Sequence, residues 1–141
     1  MCKFLEDTNI AGHPGEWLGE FYKNHDLFPD SILIRDFTGK VNVNDIIASW
    51  EYLFNNQLIN DNIKGVINNL VNCELDMDME SFPTLIGYLK NHDRFKTLKL
   101  AVISNNPKFI IFPLLGETEE KGLNIKPFST DKAATNWIMF G

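Results

Sequence analysis

The chain has 141 residues, of which 44% are hydrophobic, and its formal net charge is -6. This length fits one domain, which we place over 1–141, and it can bury a core without disulfides or metals. The acidic balance argues against a nucleic-acid partner and against acidic membrane surfaces, since both are bound by basic patches.

The cysteines and the apolar runs indicate the compartment. Cys2 and Cys73 form neither a disulfide framework nor a C-x-x-C motif. The first 19 residues lack the apolar run of a signal peptide, and the longest apolar stretch, 109–115, is too short for a membrane span. We therefore expect a cytoplasmic protein without a membrane span.

The first regular elements follow an N-terminal extension, 1–29, whose structure the sequence does not define. A strand within 16–30 would pair antiparallel to the next one. Residues 31–37 have the apolar character of a strand, and Gly39 is expected to end it. Asn42 and Asp45 have the spacing of a capping box before a helix with apolar residues at helical intervals.

Strand and helix patterns then alternate to the end of the chain. The predicted elements are strand 65–71, an acidic loop, a helix near Ser81, strand 98–103, a short helix opened by Asn106 and Pro107, strand 123–128, and a helix capped by Ser129 or Thr130.

Alternation of this kind predicts an α/β fold: a single mixed, mostly parallel sheet of four to five strands with about four helices. The expected core positions are Ile32, Ile34, Ile46, Trp50, Leu53, Val66, Ile86, Leu100, Val102 and Trp137. Asn68 and Asn69 lie inside a predicted core strand. Buried amides require partners, so facing a pocket and bonding the neighbouring loop are open alternatives for one of them, and a structural role is favoured.

Three segments resemble a known family. They are I-L-I-R-D-F-T-G-K-V-N at 32–42, K-L-A-V-I-S at 99–104 and P-F-S-T-D-K-A-A-T-N-W-I at 127–138. They are similar to parts of the small bacterial STAS-like domains, typified by anti-sigma-factor antagonists, some of which are described as STAS/SEC14-like. The resemblance covers residues 30–141 and implies a STAS-like α/β core.

The resemblance also implies a function, namely docking to a regulatory protein partner or binding a small ligand. In some members a phosphorylated serine switches docking, and Ser81 is the nearest candidate here. The family's D-S-S-G motif is absent, because the chain reads D-M-E-S-F-P. Acidic neighbours would repel a phosphate, so local physics favours Ser81 as a helix cap.

A ligand site is the alternative. Ligands of open α/β sheets bind beyond the carboxyl ends of the strands. There Ser104, Asn105, Asn106 and Lys108 would offer backbone N–H groups and a positive charge to an anion. Ordinary capping by Asn106 is the competing interpretation. The ligand would be a small anionic or apolar molecule.

Patterns for catalysis and metal binding are absent from the sequence. Residues 74–80 alternate acidic and apolar side chains, but they do not fit an EF-hand, and acids before a helix start explain them. The histidines lack zinc-site spacing, and Cys73 with His92 lacks a third, orienting residue.

We expect no enzyme, no cofactor and no metal, but a binding or regulatory module. The alternative is a ligand binder, or a weak enzyme, near Ser104 and Lys108; self-association as a homodimer stays open.

Overall fold

The computed structural model describes residues 21–76, 80–105 and 122–141. Its strands are β1 (Tyr22–Asn24), β2 (Ile32–Asp36), β3 (Gly39–Asn42), β4 (Gly65–Asn69), β5 (Cys73–Asp76), β6 (Lys99–Ile103) and β7 (Asn124–Phe128). Its α-helices are α1 (Val43–Asn55), α2 (Ser81–Lys90) and α3 (Asp131–Phe140), with a 3-10 helix at Asp93–Lys96.

Five of the strands form one mixed sheet in the order β1-β2-β4-β6-β7. Strand β1 is antiparallel to β2, and all other neighbours are parallel. The predicted α/β class, the mostly parallel sheet and the antiparallel strand within 16–30 are therefore confirmed. None of the helices in the described ranges has the length and apolar character that a membrane span requires.

The prediction of a single sheet is wrong. Strands β3 and β5 pair in parallel as a second sheet, with Gly39 opposite Cys73 and Asn42 opposite Asp76. Gly39 does not end the extended region. Its φ of +74°, which glycine adopts without steric cost, redirects the chain after β2. The segment expected to be an acidic loop accordingly begins as a strand.

The number of helices also differs from the expectation. The described part of the chain contains three α-helices, not four. The predicted fourth helix, opened by Asn106 and Pro107, lies outside the described residues.

The helix starts were predicted with mixed success. The capping box is confirmed: the Asp45 N–H donates to Asn42 Oδ1 at 2.9 Å, and the Asn42 N–H donates to Asp45 Oδ2 at 3.0 Å. Thr130 caps α3 by accepting from the Ala133 N–H. The Ser81 cap is wrong, because Ser81 is the first helical residue. Glu80, which precedes it, is already helical and makes no capping hydrogen bond; a cap requires an extended residue at this point.

The core lies on both faces of the five-stranded sheet. Alternate strand residues such as Leu33 and Val66 pack beneath α1 and α2, whereas Ile32 and Ile67 pack beneath α3. Nine of the ten predicted core residues are buried. Trp137 is only partly buried, because it lies against Phe128 at the rim of the α3 face.

The close approach of α3 to β4 generates a test. A Cβ atom at Gly65 would lie 2.7 Å from Ile138 Cγ2 and 2.7 Å from the Lys99 carbonyl oxygen. We expect Gly65→Ala to lower the free energy of unfolding in urea by about 2–3 kcal/mol, because helix and backbone must both shift. The matched control is Gly87→Ala in α2, where a Cβ meets nothing within 4 Å. It should raise stability by about 0.5–1 kcal/mol; equal effects at both glycines would contradict this packing.

Candidate functional site

A pocket of about 240 Å³ lies at the carboxyl ends of the parallel strands, on the α3 face of the sheet. We call it the edge pocket, and it is lined by Lys23, Ile34, Asp36, Ile67, Asn69, Val71, Asn72, Ile103 and Asp131. Its position is the one expected for ligand sites in open α/β sheets.

The floor of the edge pocket follows from strand alternation. Side chains two residues apart share one face of a strand, so Ile34 and Asp36 both point to the α3 face. The register sets Ile34 opposite Ile67, and it aligns Asp36, Asn69 and Ile103 as the final row of three strands. The apolar floor therefore lies directly beneath a polar rim.

The rim is acidic and partly fixed by hydrogen bonds. The Asn69 side-chain amide donates to Asp36 Oδ1 at 2.8 Å, and Asn69 Oδ1 accepts from the Val71 N–H at 3.2 Å. Asp131 adds a second carboxylate from the first turn of α3. Among the described residues of the lining Lys23 is the only cation, so this part of the rim is net negative.

Of the residues predicted for ligand binding, the structure describes Ser104 and Asn105, and neither is among the residues that line this pocket. Ser104 follows β6 and is half-buried. The Asn105 amide donates to the Val71 carbonyl at 3.4 Å, which brings Asn105 to the rim. Asn106 and Lys108 lie outside the described residues.

Sequence reasoning missed Asp36 as a site residue. The available signal was a polar residue at the end of a predicted strand, two positions after a buried isoleucine. Asn69 both lines the pocket and bonds the following loop at Val71, so both alternatives that the sequence left open for it are found. Ser81 begins α2, whose Leu85 and Ile86 pack on the opposite face of the sheet, so it is separated from the edge pocket.

The opposite face of β2 carries a buried cation. Arg35 is only 3% exposed. Its Nε donates to Asn68 Oδ1 at 2.8 Å, and its Nη1 donates to Ser49 Oγ at 2.5 Å. The Asn68 side-chain amide in turn donates to the Ala101 carbonyl, and the Ser49 hydroxyl donates to the Ile46 carbonyl. The network joins β2, β4, β6 and α1.

Aromatic rings, not acids, complete the surroundings of Arg35. The guanidinium carbon lies 3.7 Å from the centre of the Trp50 ring and 4.8 Å from that of Phe37. No carboxylate in the described ranges is within ion-pairing distance of Arg35. Burial lowers the pKa of the guanidinium well below its ordinary value, an effect that Tyr88 partly opposes. The charge is held by neutral acceptors and ring faces alone.

This arrangement predicts strong coupling between Arg35 and Asn68. Asn68→Leu should lower the free energy of unfolding by about 3–5 kcal/mol, because it leaves a buried charge without its acceptor. The double variant Arg35→Met with Asn68→Leu should recover at least half of that loss, since it removes the charge together with its partner. Urea denaturation of the two single variants and the double variant measures the coupling. Additive losses would contradict the network.

The other candidate groups are occupied by structural contacts. His25 Nδ1 accepts from the Leu27 and Phe28 N–H groups, so Nε2 carries the proton and donates to Thr135 Oγ1 at 3.1 Å. His92 stacks on Phe54, whereas the Cys73 thiol donates to the Leu70 carbonyl, and burial raises the pKa of that thiol. Among the described residues, no three His, Cys, Asp or Glu side chains are placed to hold a metal ion.

Helix α2 is joined to α1 by a short hydrogen bond from the Tyr88 hydroxyl to Glu51 Oε2. Burial, followed by this hydrogen bond and the Glu51 charge, raises the pKa of Tyr88. Above the ordinary tyrosine pKa of about 10, the unfolded chain therefore ionises before the folded protein does. The protein binds more protons in the folded state there, so its stability must fall as the pH rises.

Tyr88→Phe should make this alkaline loss of stability shallower. Urea unfolding followed between pH 8 and about 11 gives the slope, because only the unfolded wild-type chain releases this proton there. Glu51→Gln retains an acceptor without charge and should give an intermediate slope. Parallel pH profiles for wild type and Tyr88→Phe would contradict the raised pKa.

In comparisons with known proteins, no protein-family model, curated protein or solved structure matches this chain. The resemblance to the STAS-like domains therefore stays a prediction, and the geometry alone carries the functional argument.

Proposed function

We propose that this chain is a STAS-like binding and regulatory module that docks a protein partner through the edge pocket. The observation that carries the proposal is an isoleucine floor beneath an acidic rim, at the carboxyl edge of a parallel sheet. The role is recognition, with no chemical step assigned to the pocket.

The size of the edge pocket favours a protein partner over a free ligand. Small-molecule sites are usually about 300–1,000 Å³, and this pocket, at about 240 Å³, is smaller. Protein interfaces, in contrast, gain much of their energy from single side chains that fill small pockets. One inserted side chain of a partner would match this volume.

The chemistry of the lining favours a lysine or arginine as that side chain. Its methylene groups would cover Ile34, Ile67 and Ile103, while its charge would reach Asp36 and Asp131 at the rim. Lys23 weakens the attraction but leaves two carboxylates against one ammonium. An anionic ligand would be repelled by the described part of this rim, where two carboxylates face one ammonium group.

The exposed surroundings provide further contact area for a partner. Val71 is a large apolar residue with 38% of its surface exposed, and Asn72 beside it is exposed as well. An interface would bury both around the inserted side chain, in the usual arrangement of a central anchor with a surrounding rim.

Two model compounds test the pocket chemistry. N-acetyl-lysine methylamide should shift the methyl NMR signals of Ile34, Ile67 and Ile103 saturably. N-acetyl-norleucine methylamide, which lacks the ammonium group, should bind about fivefold more weakly, as expected for the loss of a partly shielded charge interaction. Asp131→Asn should weaken lysine binding. Asp61→Asn, which removes an exposed acid elsewhere, should not.

Site-specific photocrosslinking tests the docking itself. A photoreactive residue at Asn72 should give, in the native host, a discrete crosslinked species that is lost in the Asp36→Asn and Asp131→Asn variants. The same probe at exposed Asn62 serves as the control position. Crosslinks that persist without the carboxylates, or tighter binding of norleucine than of lysine, would overturn the proposal.

A further inference from the structure

A second concave site lies on Ile63, Lys64, Arg94 and Lys99, next to the amino ends of β4 and β6. This basal groove has a volume of about 540 Å³ and is lined also by Asp61, Thr97, Ile138 and Met139. Among the described lining residues three cations stand against one acidic side chain, so this part of the groove is positive, although the whole chain carries a net charge of -6.

Arg94 is held rigidly at the groove by neutral acceptors. Its Nη2 donates to the Asn60 carbonyl at 2.9 Å and to the Ile63 carbonyl at 2.8 Å, and its Nη1 donates to Thr97 Oγ1 at 2.6 Å. These bonds use three of the five guanidinium N–H groups and neutralise none of the charge. Arg94 therefore keeps donors and a full positive charge in a fixed orientation.

The two lysines complete the cationic lining. Lys99 Nζ donates to the Trp137 carbonyl at 3.0 Å and to the main-chain oxygen of Gly141 at 2.9 Å, which leaves one of its three N–H groups. The exposed Lys64 is in the segment that leads into β4. Within the described ranges none of the three cations lies within ion-pairing distance of an aspartate or glutamate side chain, so no acidic side chain is paired with them.

We infer that the basal groove binds a small organic phosphate monoester. The phosphate would accept hydrogen bonds from Arg94, Lys64 and Lys99, because a dianion with several oxygens matches a fixed guanidinium beside two ammonium groups. The organic part would lie on Ile138 and Met139. This inference does not depend on the proposed function, since the edge pocket lies at the other end of the sheet and has the opposite charge.

Titration with phenyl phosphate and with inorganic phosphate, followed by backbone amide NMR, tests the inference. Phenyl phosphate should cause saturable shifts at residues around the groove and bind more tightly than inorganic phosphate, because its ring covers Ile138 and Met139. Lys64→Gln should weaken its binding about two- to fivefold, as expected for one exposed charge interaction. Asp61→Asn should tighten it, because a repulsive charge is removed.

Matched variants separate ligand binding from folding. Arg94→Gln should abolish measurable phosphate binding, but it also removes hydrogen bonds to two carbonyls. The decisive variant is therefore Lys64→Gln, since no hydrogen bond of its ammonium group holds the fold together. Lys23→Gln, at the edge pocket, is the control and should leave phosphate affinity unchanged. Absence of saturable shifts, equal effects of Lys64→Gln and Lys23→Gln, or equal affinity for the two phosphates would overturn the inference.

Discussion

The burial of the Arg35 guanidinium is the constraint on which the rest of the structure depends. A charge removed from water must be met by acceptors, and here these are one amide oxygen, one hydroxyl and two aromatic faces. Asn68 and Ser49 can accept hydrogen bonds from Arg35 only when β2 lies beside β4 in one register and α1 crosses above both strands. The network therefore specifies where α1 lies over the sheet, and it also stabilises the packing of α1 on the sheet.

The same register builds the edge pocket. Arg35 is opposite Asn68, and the next residues, Asp36 and Asn69, are opposite each other on the other face. In each strand the first of these two consecutive residues, Arg35 or Asn68, joins the core network. The second, Asp36 or Asn69, lies at the pocket rim. A slip of one residue would move the cation to the α3 face and the carboxylate into the core. The core and the pocket cannot be changed independently.

The two concave sites lie at opposite ends of the sheet and differ in charge. Helix α3 connects them, since Asp131 in its first turn lines the acidic pocket and Ile138 near its end lines the basic groove. The Trp137 carbonyl in its last turn accepts from Lys99, so the negative end of the helix dipole meets a cation. The net charge of -6 reveals neither site. It is a sum over the whole chain, whereas the acidic and the basic side chains of the two sites lie at opposite ends of the strands.

The sequence by itself determined the α/β class, the antiparallel first strand, the capping box at Asn42 and nearly all of the core, because each depends on periodicity or on neighbours a few residues away. Tertiary structure alone decided that β3 pairs with β5, that Arg35 is buried, and that Asp36 joins Asn69 at a pocket. Those outcomes depend on register between segments more than 30 residues apart. Alternation along a strand indicates the face on which a polar residue lies, but it carries no mark of the distant partner that the residue will meet. Only the packed sheet supplies that partner.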